Sequence, residues 1–396
     1  MNEAEQRIDV TILMPCLNEE EALPFALKSA QGAQEELNRL GLSSEILISD
    51  NGSTDGSRQL AEELGCRVVN CPEKGYGNTL IYGAKNAFGR YIVMGDSDGS
   101  YDFREAVPMV LKLKDGYGLC MGSRFKGKIM PGAMPWKNRY IGNPFLSGLL
   151  NLFYRSGLSD AHCGLRAFTK EAFDKMRLSC PGMEFASEMV VRAAQLNVKR
   201  TEVPVTLHKD KRGRPPHLQP WQDGKRHVKF MLMYGPLWLF FLPSALLILS
   251  GYLIFGAVLF APSYQTFKFG KLYFGDHWMV LAGGMVSIGF QGVIMGMIAL
   301  IYRVRHRRIP ESWLARKLLC DYFTSQNILF LGSALIASGI GITVFVFWQW
   351  ANTGFGPLYR LREMIIATTF LVVGLQAYFG VLLAAVVSGM SADRPN

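Results

Sequence analysis

The sequence predicts an α/β domain on a doubly wound parallel sheet, followed by four membrane-spanning helices, and three observations carry that expectation. Short apolar runs at 10–15, 45–49 and 91–95 each end in an acidic or amide-rich cluster: Asn18-Glu19-Glu20, Asp50-Asn51-Gly52-Ser53 and Asp96-Ser97-Asp98. Helix-like stretches separate the runs, the alternation of a parallel sheet whose ligand crevice lies beyond the carboxyl ends of its strands. Past residue 229, Asp, Glu, Lys and Arg vanish over four long intervals.

Along the chain, strand 10–15 leads into a helix over 19–39, and strand 45–49 into a helix over 53–64 that opens on a Ser-Thr-Asp cap cluster. Strand 67–71 precedes a helix over 75–88, and strand 91–95 precedes one over 104–114. Further strands are expected at 118–122, 164–168 and 200–205, which makes residues 1–207 one α/β domain. Lys74-Gly75-Tyr76-Gly77-Asn78 has two glycines of a dinucleotide loop, but Leu80 stands where the third belongs, which argues against a Rossmann dehydrogenase. Residues 140–154 are free of charge between Arg139 and Arg155. That run is too short to span a bilayer and is expected to be a core helix or an amphipathic helix in the headgroup layer, the flanking arginines favouring the second. A second interfacial piece is expected at 221–233, with Trp221, Phe230 and Lys225-Arg226, inside a basic juxtamembrane segment 208–236.

No Asp, Glu, Lys or Arg occurs between Lys229 and Lys268, Asp276 and Arg303, Asp321 and Arg360, or Glu363 and Asp393. Each interval exceeds the roughly 20 residues a spanning helix needs. The expected spans are 237–260, 278–302, 328–350 and 364–389, with a short tail at 390–396. Seven Lys or Arg fall within 209–229 and six within 303–327, against two in each of the other connections. Positive-inside bias therefore places the large N-terminal domain, the 303–327 loop and both termini in the cytoplasm, in a protein of the cytoplasmic (inner) membrane. The start, MNEAEQRID, is acidic and without an apolar core, so no signal peptide is expected.

The net charge of +10 over 396 residues concentrates beside the spans, where anionic headgroups account for it, so nucleic acid is not the expected partner. Seven scattered cysteines without a C-x-x-C pair indicate free thiols rather than a disulfide framework or a zinc site. Asp96-Ser97-Asp98, after a strand, has the chemistry of a hard-cation site. Mg2+ is commonly held by one or two carboxylates together with substrate phosphates, so a nucleotide diphosphate on a metal is the expected ligand.

Six ordered blocks, PCLNEEEALP (15–24), SDNGSTDGS (49–57), KGYGN (74–78), GDSDGSYDF (95–103), MGSRF (121–125) and DAHCGLRAF (160–168), resemble the family 2 glycosyltransferases. Within these the chain is similar to the polyprenyl-phosphate glycosyltransferases, which include dolichol-phosphate mannose and glucose synthases. The resemblance implies a GT-A nucleotide-sugar-binding domain in which Pro15, Leu17, Glu19 and Asp50 hold base and ribose. It implies that Asp96 and Asp98 bind Mg2+ or Mn2+ and the diphosphate, with Ser97, Lys74 and Arg212 also on the donor side. Arg124 of the GSR block would meet the acceptor lipid phosphate, with Arg139 as a second cation. Mannose synthases usually continue Asp-x-Asp with Leu-Gln, whereas Gly99-Ser100 follows here, leaving Ser100 or water as third metal ligand. Glu184 and Glu188 are candidates for the sugar or for the helix surface.

The implied reaction is transfer of a hexose from a nucleotide sugar to a polyprenyl phosphate, with inversion. The form GDSDGSY and the stretch PPHLQPWQDGKRH are similar to glucose synthases, which favours UDP-glucose over GDP-mannose. A polyprenyl phosphate is largely dianionic at neutral pH, so it attacks without a protein base, and Asp98 and Arg124 act by charge stabilisation and positioning. A processive polysaccharide synthase would carry Gln-x-x-Arg-Trp where Gln222-Asp223-Gly224-Lys225-Arg226 stands. A transporter would place ionisable residues within its spans. A non-catalytic scaffold would have no need of the intact Asp50, Asp96, Asp98 and Arg124. A homo-oligomer stays open.

Overall fold

Three parallel strands bring the three clusters to one edge. The computed structural model describes residues 8–213, 220–235, 237–259, 267–269, 272–307 and 325–389. The chain divides into two units, Met1–Tyr234 and Gly235–Asn396. In the first, β1 (Val10–Cys16), α1 (Leu23–Arg39), β2 (Ser44–Asp50), α2 (Ser57–Glu63), β3 (Arg67–Asn70), α3 (Tyr76–Asn86), β4 (Tyr91–Met94), α4 (Val107–Lys114) and β5 (Leu119–Ile129) alternate as expected. After them come α5 (Asn143–Tyr154), β6 (Arg166–Thr169), α6 (Lys170–Met176), α7 (Phe185–Gln195), β7 (Arg200–Leu207) and α8 (Pro220–Tyr234).

The seven strands are ordered β3-β2-β1-β4-β6-β5-β7. Parallel register sets Cys16 opposite Asp50 and Leu13 opposite Met94, so the loops after β1, β2 and β4 share the carboxyl edge. β1, β2 and β4 are buried on both faces, which is why they read as nearly unbroken apolar runs. α1 buries Leu23, Ala26, Leu27, Ala30, Ala33 and Leu37, the three-and-four spacing of one helix face.

The sheet is mixed, however, and not wholly parallel: β6 runs antiparallel to both β4 and β5. β5 ends at the carboxyl edge, the chain makes its α5 excursion there, and β6 re-enters from that same edge, so no crossover to the opposite edge is needed. Residues 160–165 are thereby delivered to the edge that carries Asp96.

α8 packs against α5 and α7. The Tyr154 hydroxyl donates to the Met231 carbonyl, and that of Tyr234 donates to Glu188 at 3.3 Å. Phe230, expected in the headgroup layer, is buried and stacks on Tyr234 with ring centroids 4.2 Å apart. The apolar stripe of α8 is spent on the first unit, because α5 and α7 already present Tyr154 and Glu188 to it.

The second unit contains α9 (Leu242–Leu259), a short hairpin of β8 (Phe267–Phe269) and β9 (Leu272–Phe274), α10 (Asp276–Arg307), α11 (Ser325–Asn352) and α12 (Leu361–Gly389). Among the described residues four segments are long and apolar enough to span: Trp238–Leu259, Asp276–Tyr302, Gln326–Asn352 and Leu361–Val387. Two begin at or beside charged residues because Arg362 pairs with Asp276 at 2.6 Å and donates to the Val258 carbonyl, tying the ends of α9, α10 and α12. The basic connection at 308–324 and the tail 390–396 lie outside the described residues.

Candidate active site

The loop after β4 carries Asp96 and Asp98. Asp96 accepts a hydrogen bond from the Tyr76 hydroxyl at 3.0 Å, and Asp98 accepts one from the Ser100 backbone N–H at 2.9 Å. Burial first, and the neighbouring Asp98 second, push the Asp96 carboxyl up to about 6. Ser97 donates to the Pro15 carbonyl at 2.7 Å, joining this loop to the end of β1. Arg212 lies across both loops, 2.9 Å from Glu19 and 3.3 Å from Asp98.

Two hard oxygen donors under mutual repulsion are what a divalent cation relieves, so the pair fits Mg2+ or Mn2+. Among the described residues no group of three His, Cys, Asp or Glu is placed for one ion. Substrate phosphates and water would complete the shell. Ser100, the alternative third ligand, is buried and meets Asp98 through its backbone.

On the nucleotide side, Asp50 is wholly buried and engaged within its own loop. It accepts from Gly52 at 2.8 Å, from the Ser53 N–H at 3.1 Å and from Arg58 at 2.7 Å. Burial acts to raise its pKa, but the hydrogen bonds from Ser53, Arg58 and Gly52 outweigh burial and hold it below the ordinary carboxylate range. Asp50 thus shapes the turn and keeps Arg58 at the edge. Asn51 accepts from the Gly75 N–H and donates to the Glu73 carbonyl, bringing the loop of exposed Lys74 beside that of Asp50. Leu17 is half-buried between Pro15 and Glu19.

The glycines of KGYGN serve packing rather than phosphate. The Gly77 N–H donates to the Pro181 carbonyl at 2.8 Å, and a Cβ at Gly77 would lie 2.0 Å from the Cys180 carbonyl oxygen.

Arg124, expected to meet the acceptor phosphate, is buried, and its guanidinium forks onto Asp160 at 2.7 and 2.8 Å. Burial works against its charge, yet Tyr101 and Asp160 hold its pKa well above the ordinary value. Glu202 accepts the Ser159 and Asp160 N–H groups and pairs with Lys126 at 2.7 Å. A phosphate at Arg124 would share the guanidinium with Asp160, a partner the sequence reading did not assign. Arg139 stands 5.4 Å from the Tyr140 ring, on a segment where Trp136, Tyr140, Ile141 and Phe145 are exposed. Among the described residues no contact joins Arg139 to the Asp96 loop.

Tyr76, Asp160, Gly164 and Arg166 went unassigned in the sequence. A Cβ at Gly164 would lie 2.4 Å from the Asp96 carboxylate, so the backbone can approach there only as glycine. Arg166 is fully buried and donates to the carbonyls of Cys163 and Ala186 at 2.6 and 3.2 Å. Asp160, Gly164 and Arg166 all belong to the DAHCGLRAF block, which was the available signal. Glu188 is likewise buried and accepts from the N–H groups of Ser179 and Cys180, which fixes that loop rather than a sugar. Beside the Asp98 loop opens a cleft of about 380 Å³ walled by Phe25, Tyr101, Met130, His208 and Lys211.

Residues 11–177 match the profile of glycosyl transferase family 2, and residues 297–388 match that of the family 2 C-terminal transmembrane region. The low-salt glycan biosynthesis hexosyltransferase Agl6 of Haloferax volcanii is 32% identical over 378 residues, spanning 94% of this chain and 88% of Agl6. The chain belongs to glycosyltransferase family 2. Glycosyltransferase AglJ of the same organism is 30% identical to it, over 76% of this chain and 97% of AglJ. Among solved structures, glucosyl-3-phosphoglycerate synthase from Mycobacterium tuberculosis aligns with 20% identity and a TM-score of 0.45, over 58% of this chain and 80% of that one. This family 2 glycosyltransferase joins a GT-A mixed sheet to four apolar helices and is an integral membrane protein.

Proposed function

We propose that the enzyme transfers a hexose, read best as glucose from UDP-glucose, to a polyprenyl phosphate, inverting the sugar and supplying a lipid-linked sugar for cell-envelope glycan assembly. The observation that carries the reading is the Asp96–Asp98 pair beneath the Glu19–Arg212 bridge, at the sheet edge of a chain with four spans. Asp96 and Asp98 would hold Mg2+ or Mn2+, which would supply counter-charge for the departing diphosphate. Tyr76 and Gly164 set the orientation of Asp96. Arg212 holds the donor side closed, its charge shared between Glu19 and Asp98.

The acceptor needs no base, since a phosphate monoester near neutral pH is already largely dianionic. Arg124, with Asp160 as counter-ion, orients the attacking oxygen, and Arg139 offers a second cation beside the exposed aromatic segment. That segment and α5, which exposes Phe145 and Leu152, rest in the headgroup layer. His208 and Lys211 give the neighbouring cleft a basic wall suited to an anionic substrate. The name of Agl6 supports the hexosyl reading. The catalytic unit and both termini face the cytoplasm, on the bias of the basic residues.

The test offers radiolabelled UDP-glucose, UDP-galacturonate, UDP-N-acetylglucosamine and GDP-mannose to purified protein with undecaprenyl phosphate and Mg2+ or Mn2+. Label is expected in the organic phase from UDP-glucose and to disappear with EDTA. Transfer from GDP-mannose alone would replace the donor; transfer in excess EDTA would remove the metal; label only in a water-soluble product would refute the lipid acceptor.

A further inference from the structure

A buried chain of three side chains leads from α8 to the loop that presses on Asp96. His162 Nε2 is 3.0 Å from the Ser187 hydroxyl, which is 2.8 Å from His227 Nδ1, and the two imidazoles meet edge to face with centroids 4.8 Å apart. Ser187 is fully buried and His227 nearly so. Ser187 sits on α7 and His227 on α8, the helix that ends at Tyr234 where the first unit ends. His162 sits two residues from Asp160, the counter-ion of Arg124, and two from Gly164, whose backbone abuts Asp96.

The direction of the chain follows from hydrogen counting. A serine hydroxyl has one hydrogen, so between two imidazoles it donates to one and accepts from the other. His162 Nδ1 is buried without a partner among the described residues. A proton there would be a buried donor left unpaired, so the ring carries its hydrogen on Nε2 and donates to Ser187, which donates to His227 Nδ1. Burial first, then His227 and the nearby Arg166 and Arg124, hold the His162 pKa well below its ordinary value, in keeping with a neutral ring.

We infer that His162, Ser187 and His227 form a positioning relay that ties the seating of α8 to the 160–164 loop, and through it to the Arg124–Asp160 pair and to Asp96. The inference rests on the transferase reading for its catalytic consequence, but not for its structural one. None of the three touches a reacting atom in this account; they hold the residues that do. α8 has a second link to α7, the bond from Tyr234 to Glu188, which does not pass through the relay and serves as the control.

The experiment uses the full-length protein in phosphatidylglycerol-containing vesicles and reads hydrogen–deuterium exchange of the peptide covering 158–165. Ser187→Ala and His227→Ala are expected to speed its exchange roughly three- to tenfold, the effect of one lost hydrogen bond. Tyr234→Phe is expected to leave it unchanged, and His227→Asn, which returns an acceptor near the Nδ1 position, to restore it. In the transfer assay the two alanine variants are expected to lower kcat several-fold with KM for the nucleotide sugar unchanged. Unchanged exchange in Ser187→Ala and His227→Ala, or an equal rise in Tyr234→Phe, would overturn the relay. Exchange requires no donor, so it decides the relay even where wild-type protein transfers no sugar and the functional reading fails.

Discussion

Asp96 meets opposing demands: it is buried against Tyr76 and Gly164 while sharing its loop with a second carboxylate. That tension suits a cation site and leaves little room. Gly164→Ala is therefore expected to displace Asp96 and lower transfer by about two orders of magnitude, the scale of a lost electrostatic contact to a leaving group. Calorimetry should show weakened Mn2+ binding while nucleotide binding without metal is retained; unchanged Mn2+ affinity would refute the crowding argument. Asp50 carries part of the acid sensitivity. Its folded pKa lies below the ordinary carboxylate value, so its stabilisation is complete above about pH 4 and fades as pH falls through the lowered value. Asp50→Asn should be less stable than wild type at pH 7 and lose less on acidification below about pH 4, as followed by circular dichroism. Equal acid sensitivity in the two proteins would remove Asp50 from that role.

At the scale of elements, the β1, β2 and β4 loops were legible because parallel strands buried on both faces leave unbroken apolar runs that stop at their polar ends. β6 was not legible as antiparallel. Four residues carry no direction, and the direction is set by the α5 excursion on the carboxyl edge. α6 and α7 were missed too, since α7 buries Glu188 and Arg192 along with its apolar residues and so blurs the helical pattern. The site divides the same way. Asp96, Asp98, Glu19 and Arg212 come together at the sheet edge, whereas the Arg124–Asp160 and Tyr76–Asp96 bonds join residues 36 and 20 apart, which no local pattern encodes. The KGYGN loop makes the point testable. Gly77→Ala sets a Cβ against the Cys180 carbonyl, a backbone atom that cannot rotate away, and should cost about 1–3 kcal/mol by overpacking. Thermal unfolding should show the loss, and faster proteolysis near 180–182 should locate it. A variant as stable as wild type would mean that α3 and the 180–182 loop are not wedged together.

For the whole molecule, the deciding question is which way the spans run. Among the described residues Trp238–Leu259, Asp276–Tyr302, Gln326–Asn352 and Leu361–Val387 are long and apolar enough to span, and a chain that crosses four times returns to the side on which it entered. The basic residues at 209–229 and 303–327 are expected to mark that side as cytoplasmic, since the connections near 268 and 360 hold only two cations each. A phosphatase reporter inserted after Asn352 is therefore expected to be active outside the cytoplasm, and one fused behind the 364–389 span inactive. Replacing Arg303, Arg305 and Arg307 by Gln should weaken the bias and yield a mixed population, because those charges, with Arg308, Arg316 and Lys317, hold the second and third spans in place. Cytoplasmic signal at Asn352 in the wild-type chain would mean either an even number of crossings between a cytoplasmic catalytic unit and Asn352 or a catalytic unit outside the cytoplasm, and either outcome would sink the proposed topology.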